Sequence, residues 1–337
     1  MVKPRCISLM TAAAQLLVSL AITTPALNAS AAAQGLYLQP KYAAILLDAG
    51  TGEILYARQA DALRYPASIT KVLTLYVAFE AIARGQLRLD EPIFISKFAA
   101  AQHPSKLGLK AGSQIRVQDA INVIATRSAN DIAVALAEAL SGSEAAFAER
   151  MTITAKRLGM TSSMFVNATG LPAARQLTTA RDIATLSRAV VRDYPEFYKV
   201  FSRVAVDYEG QTIANHNHLL STLPGVDGIK TGFTNAAGFT LAASAAHDGV
   251  RLIAVVLGSP TRLARDANVT TLLETGFDVL KQRVRGDGPT VAAYLAEPDD
   301  LSDHELQTLV ETDVSAGDDS QLALLKPPAP PRPRRNW

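Results

Sequence analysis

The stretch Phe239-Thr240-Leu241-Ala242-Ala243-Ser244-Ala245-Ala246, the break His247-Asp248-Gly249, and the run Val250-Arg251-Leu252-Ile253-Ala254-Val255-Val256-Leu257-Gly258 decide the architecture. Two apolar, β-prone runs around a glycine-containing break predict an antiparallel hairpin. A second hairpin stands near the other end of the chain, where residues 42–48 and 53–57 flank Ala49-Gly50-Thr51-Gly52. Between the two the pattern is helical. From Ser68 to about Ala83, Val72, Leu75, Tyr76, Phe79 and Ala83 recur at three-to-four spacing. Residues 117–126, 131–140, 143–158 and 179–191 repeat that pattern, and a last helix is expected over about 264–280. Strands at both ends with helices between them mean a sheet assembled from distant parts of the chain. The expected class is α/β (α+β): an antiparallel sheet flanked by helices, with an all-helical subdomain.

Composition narrows function mainly by exclusion. With 337 residues and 48% hydrophobic content, the chain can bury one large core or two modest ones. The net charge of +2 and the scattered basic residues make no electrostatic case for nucleic acid. Lys3 and Arg5 precede an apolar stretch from Ile7 to about Ala26, and Ala29-Ser30-Ala31 fits a cleavage site. Residues 1–31 are therefore expected to be a cleaved export signal, placing the protein in the periplasm or another extracytoplasmic space. Thr11, Gln15, Ser19, Thr23 and Thr24 make the stretch a poor membrane span. The single cysteine, Cys6, lies inside that signal, so the mature chain is expected to lack disulfides, cysteine nucleophiles and Cys-based zinc sites. Residues 32–284 form the expected domain. Residues 285–337 turn acidic and then Pro-rich, and are expected to be disordered, with no C-terminal membrane anchor.

Three short clusters carry the chemistry. Ser68-Ile69-Thr70-Lys71 is an S-x-x-K at a helix start, which puts Lys71 one turn from the Ser68 hydroxyl and aims free N–H groups at it. Ser128-Ala129-Asn130 falls between two predicted helices, with Ser128 suited to relay protons and Asn130 to hold Lys71 or a substrate amide. Lys230-Thr231-Gly232 enters the strand-rich end, and its cation and hydroxyl suit a substrate carboxylate. Gly232 lets substrate backbone approach the strand. Alone, each cluster is as well read as a helix cap or a turn. Together, in this order, they match the signature of penicillin-binding proteins and class A β-lactamases.

The chain resembles the D-Ala-D-Ala carboxypeptidases of the low-molecular-mass penicillin-binding proteins. The likeness also covers Arg64-Tyr65-Pro66-Ala67, Phe165-Val166-Asn167-Ala168-Thr169-Gly170-Leu171, Thr179-Ala180-Arg181-Asp182 and Gly225-Val226-Asp227-Gly228-Ile229. The resemblance implies the β-lactamase/transpeptidase-like fold and peptidoglycan stem pentapeptides as substrate. It implies Ser68 as acyl-ester nucleophile, Lys71 as general base, and Ser128 and Asn130 in support. The Ser68 and Phe233 N–H groups would form the oxyanion hole, while Lys230 and Thr231 hold the terminal carboxylate. β-Lactams would acylate Ser68, and no cofactor or metal is expected. Phe233 stands where many relatives have histidine. Rivals are an endopeptidase for D-Ala cross-links, a non-catalytic peptidoglycan binder and a β-lactamase. The last needs a Glu in an E-x-x-L-N segment, and none of Glu138, Glu144, Glu149, Glu196 and Glu209 sits in one. His216-Asn217-His218 would present both imidazoles on one face of a strand, but no further ligand accompanies them, and a structural or site-lining role is expected.

Overall fold

Glycines at positive φ close both expected hairpins: Gly52 (φ 81°) and Gly249 (φ 80°) adopt backbone that side-chain-bearing residues rarely take. The computed structural model describes residues 41–284, 288 and 290–295. The expected export signal and most of the acidic and Pro-rich tail lie outside the described residues. Along the chain, β1 (Ala43–Asp48) and β2 (Ile54–Arg58) lead through a 3-10 turn at Ala67–Ile69 into α1 (Thr70–Ala83). A small strand pair, β3 (Pro92–Phe94) and β4 (Gln114–Arg116), brackets the single turn α2 (Lys97–Ala100). Helices α3 (Val117–Thr126), α4 (Asn130–Ser141), α5 (Glu144–Arg157) and α6 (Ala180–Asp193) follow, then the single turn α7 (Pro195–Tyr198). A second small pair, β5 (Ala205–Tyr208) and β6 (Gln211–Ala214), and the turn α8 (Leu219–Thr222) precede β7 (Val226–Thr234). The chain continues through β8 (Gly238–His247), β9 (Val250–Ser259), α9 (Arg262–Val284) and α10 (Val291–Tyr294).

Five strands form one antiparallel sheet in the order β2-β1-β9-β8-β7. The register sets Val255 of β9 between Ile45 of β1 and Ala242 of β8, so the two sequence-distant hairpins are joined through β1 and β9. Both faces are covered. Ile45, Leu47, Val255 and Leu257 face a core with Leu75 and Phe79 of α1 and Leu186 of α6, while Ala44, Leu46, Ala254 and Val256 face one with Val269 and Leu272 of α9. Burial on both sides explains why these strands read as continuous apolar runs rather than alternating ones. Within the first core Phe79 stacks on Phe197 at 5.0 Å and meets Phe201 edge-on at 6.4 Å.

Two sequence expectations are corrected here. The packed chain does not stop at 284: α10 sets Val291 and Leu295 into the second core, against α9 and β2, because two apolar residues four apart share one face. Lys230, read as standing at a strand entry, lies in the middle of β7, an edge strand of the sheet. The small pairs β3–β4 and β5–β6 had no sequence signal, being only three or four residues long.

Candidate active site

Ser68 occupies the 3-10 turn just ahead of α1 rather than the helix itself, with Ala67 before it at φ 47°. The spacing of three still brings Lys71 Nζ to 3.1 Å from Ser68 Oγ. Lys71 is wholly buried, and Nζ also donates to the Thr169 carbonyl at 2.7 Å. Burial above all, and then the Lys230 cation, hold its pKa well below the ordinary lysine value, against a weaker opposing pull from Asp131 and Glu144.

The Thr169 carbonyl is delivered by a braced loop. Asn167 Oδ1 accepts from the N–H groups of Thr169 (3.2 Å) and Gly170 (2.8 Å). The buried Gln176 donates to Asn167 Oδ1 (3.0 Å) and Thr70 Oγ1 (3.1 Å), and its own Oε1 accepts from Val166 N–H (2.7 Å) and Asn167 N–H (3.2 Å). Gly170, at φ 85°, lies so close to Ala67 that any Cβ would strike the Ala67 carbonyl. Sequence reasoning missed the Thr169 carbonyl and Gln176, since a backbone oxygen has no signature and a buried glutamine resembles any other.

Ser128 is buried at φ 63°, and its Oγ has no hydrogen-bond partner among the described residues. Of the two roles expected of Asn130, holding Lys71 or a substrate amide, the first is not seen among the described residues. Its Nδ2 donates to the His103 carbonyl (2.8 Å), its N–H to the Ser105 carbonyl (2.7 Å), and Oδ1 is unpartnered. Next to it Asp131 accepts from the Leu107 and Gly108 N–H groups at 3.0 and 2.8 Å. The segment thus pins the loop at 103–108 across the site. Two orphaned polar atoms beside Ser68 are costly to bury unless a ligand satisfies them.

On β7, Lys230 is wholly buried while Thr231, Gly232 and Phe233 line the cleft with Ser68. Burial, and after it the Arg265 guanidinium, bring the Lys230 pKa down to about 7. Gly232 has a more immediate task than the one expected of it. A Cβ there would stand 2.8 Å from the Ser68 backbone nitrogen and 2.7 Å from Thr240 Oγ1, so glycine lets β7 reach the nucleophile's own turn. The ring of Phe233 packs against Phe239 at 4.2 Å.

Pro104, Ser105, Ser128, Asn130, Gly170, Leu171, His216 and Thr234 complete the cleft walls. No carboxylate lines it among the described residues. Glu144, whose pKa burial raises, instead accepts from Ala168 N–H at 2.9 Å. The H-x-H lies in the connection from β6 to α8, not on a strand, and its imidazoles diverge: His216 borders the cleft while His218 Nδ1 accepts from Arg262 at 3.0 Å. No group of three metal-ligating side chains occurs among the described residues, and no helix there is long and apolar enough to cross a membrane.

Residues 32–261 match the sequence family described as D-alanyl-D-alanine carboxypeptidase. The chain is 35% identical over 240 residues to the D-alanyl-D-alanine carboxypeptidase DacF of Bacillus subtilis, covering 69% of this chain and 61% of that one. It superimposes on penicillin-binding protein 5 from Haemophilus influenzae with a TM-score of 0.68 at 35% identity, covering 70% of each chain. Penicillin-binding protein D2 from Listeria monocytogenes, in its cefotaxime-bound form, matches with a TM-score of 0.64 at 33% identity, covering 70% of this chain and 96% of the other. The chain spans about 60% of the length of the curated relatives it matches first.

Proposed function

The chain belongs to the D-alanyl-D-alanine carboxypeptidase family, and from that premise we propose that it is an exported serine carboxypeptidase that removes the terminal D-Ala from peptidoglycan stem pentapeptides. The carrying observation is the 3.1 Å contact between Ser68 Oγ and a wholly buried Lys71 whose pKa is held low. A neutral amine that donates to the Thr169 carbonyl keeps its lone pair for the Ser68 proton. Ser68 Oγ then attacks the penultimate carbonyl while Lys71 takes that proton. The oxyanion forms against the Ser68 N–H and the N–H of Phe233 on the edge strand β7, both residues lining the cleft. Lys71 returns that proton through Ser128 to the leaving amine as the C–N bond breaks, and free D-Ala departs. Asn130 Oδ1 takes up a substrate N–H. Lys230 and Thr231 hold the terminal carboxylate, which favours cutting at a chain end.

Water completes the cycle by hydrolysing the ester and regenerating Ser68. A cleft without a carboxylate has no second base to speed that step, which supports a peptidase over a β-lactamase. β-Lactams therefore acylate Ser68 and remain. Mass spectrometry of purified muropeptides tests the proposal: pentapeptides should each lose one alanine, and Ser68→Ala should abolish the loss. Cleavage of cross-linked dimers alone would replace it with an endopeptidase.

A further inference from the structure

Away from the catalytic cleft, α6 turns three arginines to one side. Arg181, Arg188 and Arg192, spaced seven and four apart, border a cleft of about 290 Å³ whose floor includes Ile45, Leu47 and Ile54. Arg181 is paired with Asp61 and Arg192 with Asp193. Arg188 meets only carbonyls among the described residues, those of Ala49 (2.7 Å) and Gly50 (3.0 Å). Asp48 in the same turn directs its Oδ1 to the Gly50 and Thr51 N–H groups. The cleft is therefore apolar at its base and cationic at its rim, with Arg188 lacking an ion-pair partner among the described residues.

The chain itself supplies the complement. Residues 297–319 carry nine Asp and Glu and no Lys or Arg, with Leu301, Leu306, Leu309 and Val310 among them. Residues 41–295 carry 27 Lys and Arg against 22 Asp and Glu. The chain leaves the described structure from the other face of the sheet, next to its edge strand β2. α10 packs on α9 and on β2, the strand that gives Ile54 to the floor. Arg283 near the end of α9 is bound to Glu53 at 2.7 Å, one residue from Gly52 at the cleft's edge. Ten extended residues reach about 33 Å, so the acidic segment has ample span.

We propose that the acidic segment 297–319 folds back onto the Arg181–Arg188–Arg192 cleft of the same molecule, its carboxylates on the guanidinium rim and its leucines over Ile45, Leu47 and Ile54. Arg188 is the point where a carboxylate gains most, because its charge is otherwise met only by carbonyl dipoles.

The test uses the full chain with a benzoylphenylalanine photo-crosslinker in place of Ser302, adducts being mapped by mass spectrometry. The proposal expects most intramolecular adducts on residues 45–54 and 181–192. Their yield should fall at least about tenfold in 1 M NaCl, where the Debye length is about 3 Å against 10 Å at 0.1 M. It should fall likewise when all nine carboxylates are changed to amides, a replacement that leaves the folded domain untouched. Arg192→Gln, which spares the Arg188 contacts holding the β1–β2 turn, should reduce it in part. Adducts spread over the surface, adducts formed only between isotopically distinct copies, or a yield indifferent to both salt and the amide replacement would overturn it.

Discussion

Raising the pH from 7 to 9 is expected to weaken capture of carboxylate-bearing β-lactams without slowing the chemical step that follows. Lys230 is wholly buried, and burial together with the Arg265 guanidinium brings its pKa from 10.5 to about 7. Each pH unit above that value removes about tenfold of the cationic form, so at pH 9 about 1% of the free enzyme carries the charge. A bound carboxylate restores the proton, so the loss falls on the dissociation constant rather than on the acylation rate of the filled site. Half of Lys230 is already neutral at pH 7, so between pH 7 and 9 that constant should rise by about 50-fold, equivalent to about 2.3 kcal/mol. Lys71 works in the opposite sense. Its neutral form is the proposed base, so its depressed pKa limits activity only on the acid side. Stopped-flow acylation by a fluorescent penicillin, run against concentration at each pH, separates the two quantities. The methyl ester of the same penicillin, with no carboxylate to capture, should show no alkaline fall. An unchanged binding constant between pH 7 and 9, or an equal fall for acid and ester, would refute this assignment of Lys230. The same depression fixes a stability trend: between about pH 7 and 10.5 the unfolded state binds the extra proton, so the Lys230 contribution makes folding more favourable as pH rises through that window.

Four substitutions probe the rest of the site and its support. Gly232→Ala should force β7 away from the Ser68 nitrogen at a cost of about 1–3 kcal/mol, and penicillin labelling should slow about 100-fold, as a displacement of about 1 Å does. Unimpaired labelling would show that the strand can yield. Gln176→Ala strips the acceptor from the Val166 and Asn167 N–H groups, at about 1–3 kcal/mol for each one left unsatisfied. Denaturant unfolding should register that loss, and acylation should slow as the Thr169 carbonyl drifts from Lys71. Ser128→Ala should leave the melting temperature alone but cut D-Ala release by about 100-fold or more, the end-point assay being free D-alanine. Phe79→Ala removes the ring that Lys71's own helix sets against Phe197 and Phe201, and chemical denaturation should report a loss of about 3–5 kcal/mol.

What was legible in the sequence follows from how locally each feature is encoded. Hairpins 42–57 and 239–258 show because turn glycines and strand runs are contiguous, and helix α1 because its apolar period is intact. The middle of the site was legible only in part. Ser128 and Asn130 could be named, but the partner of Asn130 is a carbonyl 27 residues away, and nothing in S-x-N distinguishes that from a bond to Lys71. The H-x-H invited a strand geometry that the short β6 does not extend to cover. The boundary at 284 was set by composition, which does not see that Val291 and Leu295 have a core to enter.

Two buried lysines in one site look redundant until their surroundings are compared. Lys71 faces a hydroxyl and a carbonyl, which satisfy an amine about as well as an ammonium, so burial decides in favour of the neutral form. Among the described residues Lys230 donates only to the Thr231 carbonyl, at 3.3 Å, and the like charge of Arg265 weighs against its cationic form. Its pKa near 7 leaves it poised, and an arriving carboxylate supplies the counter-charge that the fold withholds. A charged Lys230 lowers the Lys71 pKa, but a carboxylate bound there brings a negative charge that offsets the cation it creates. On the proposed roles, the carboxylate at Lys230 therefore secures grip, while the neutral form of Lys71 rests first on its burial.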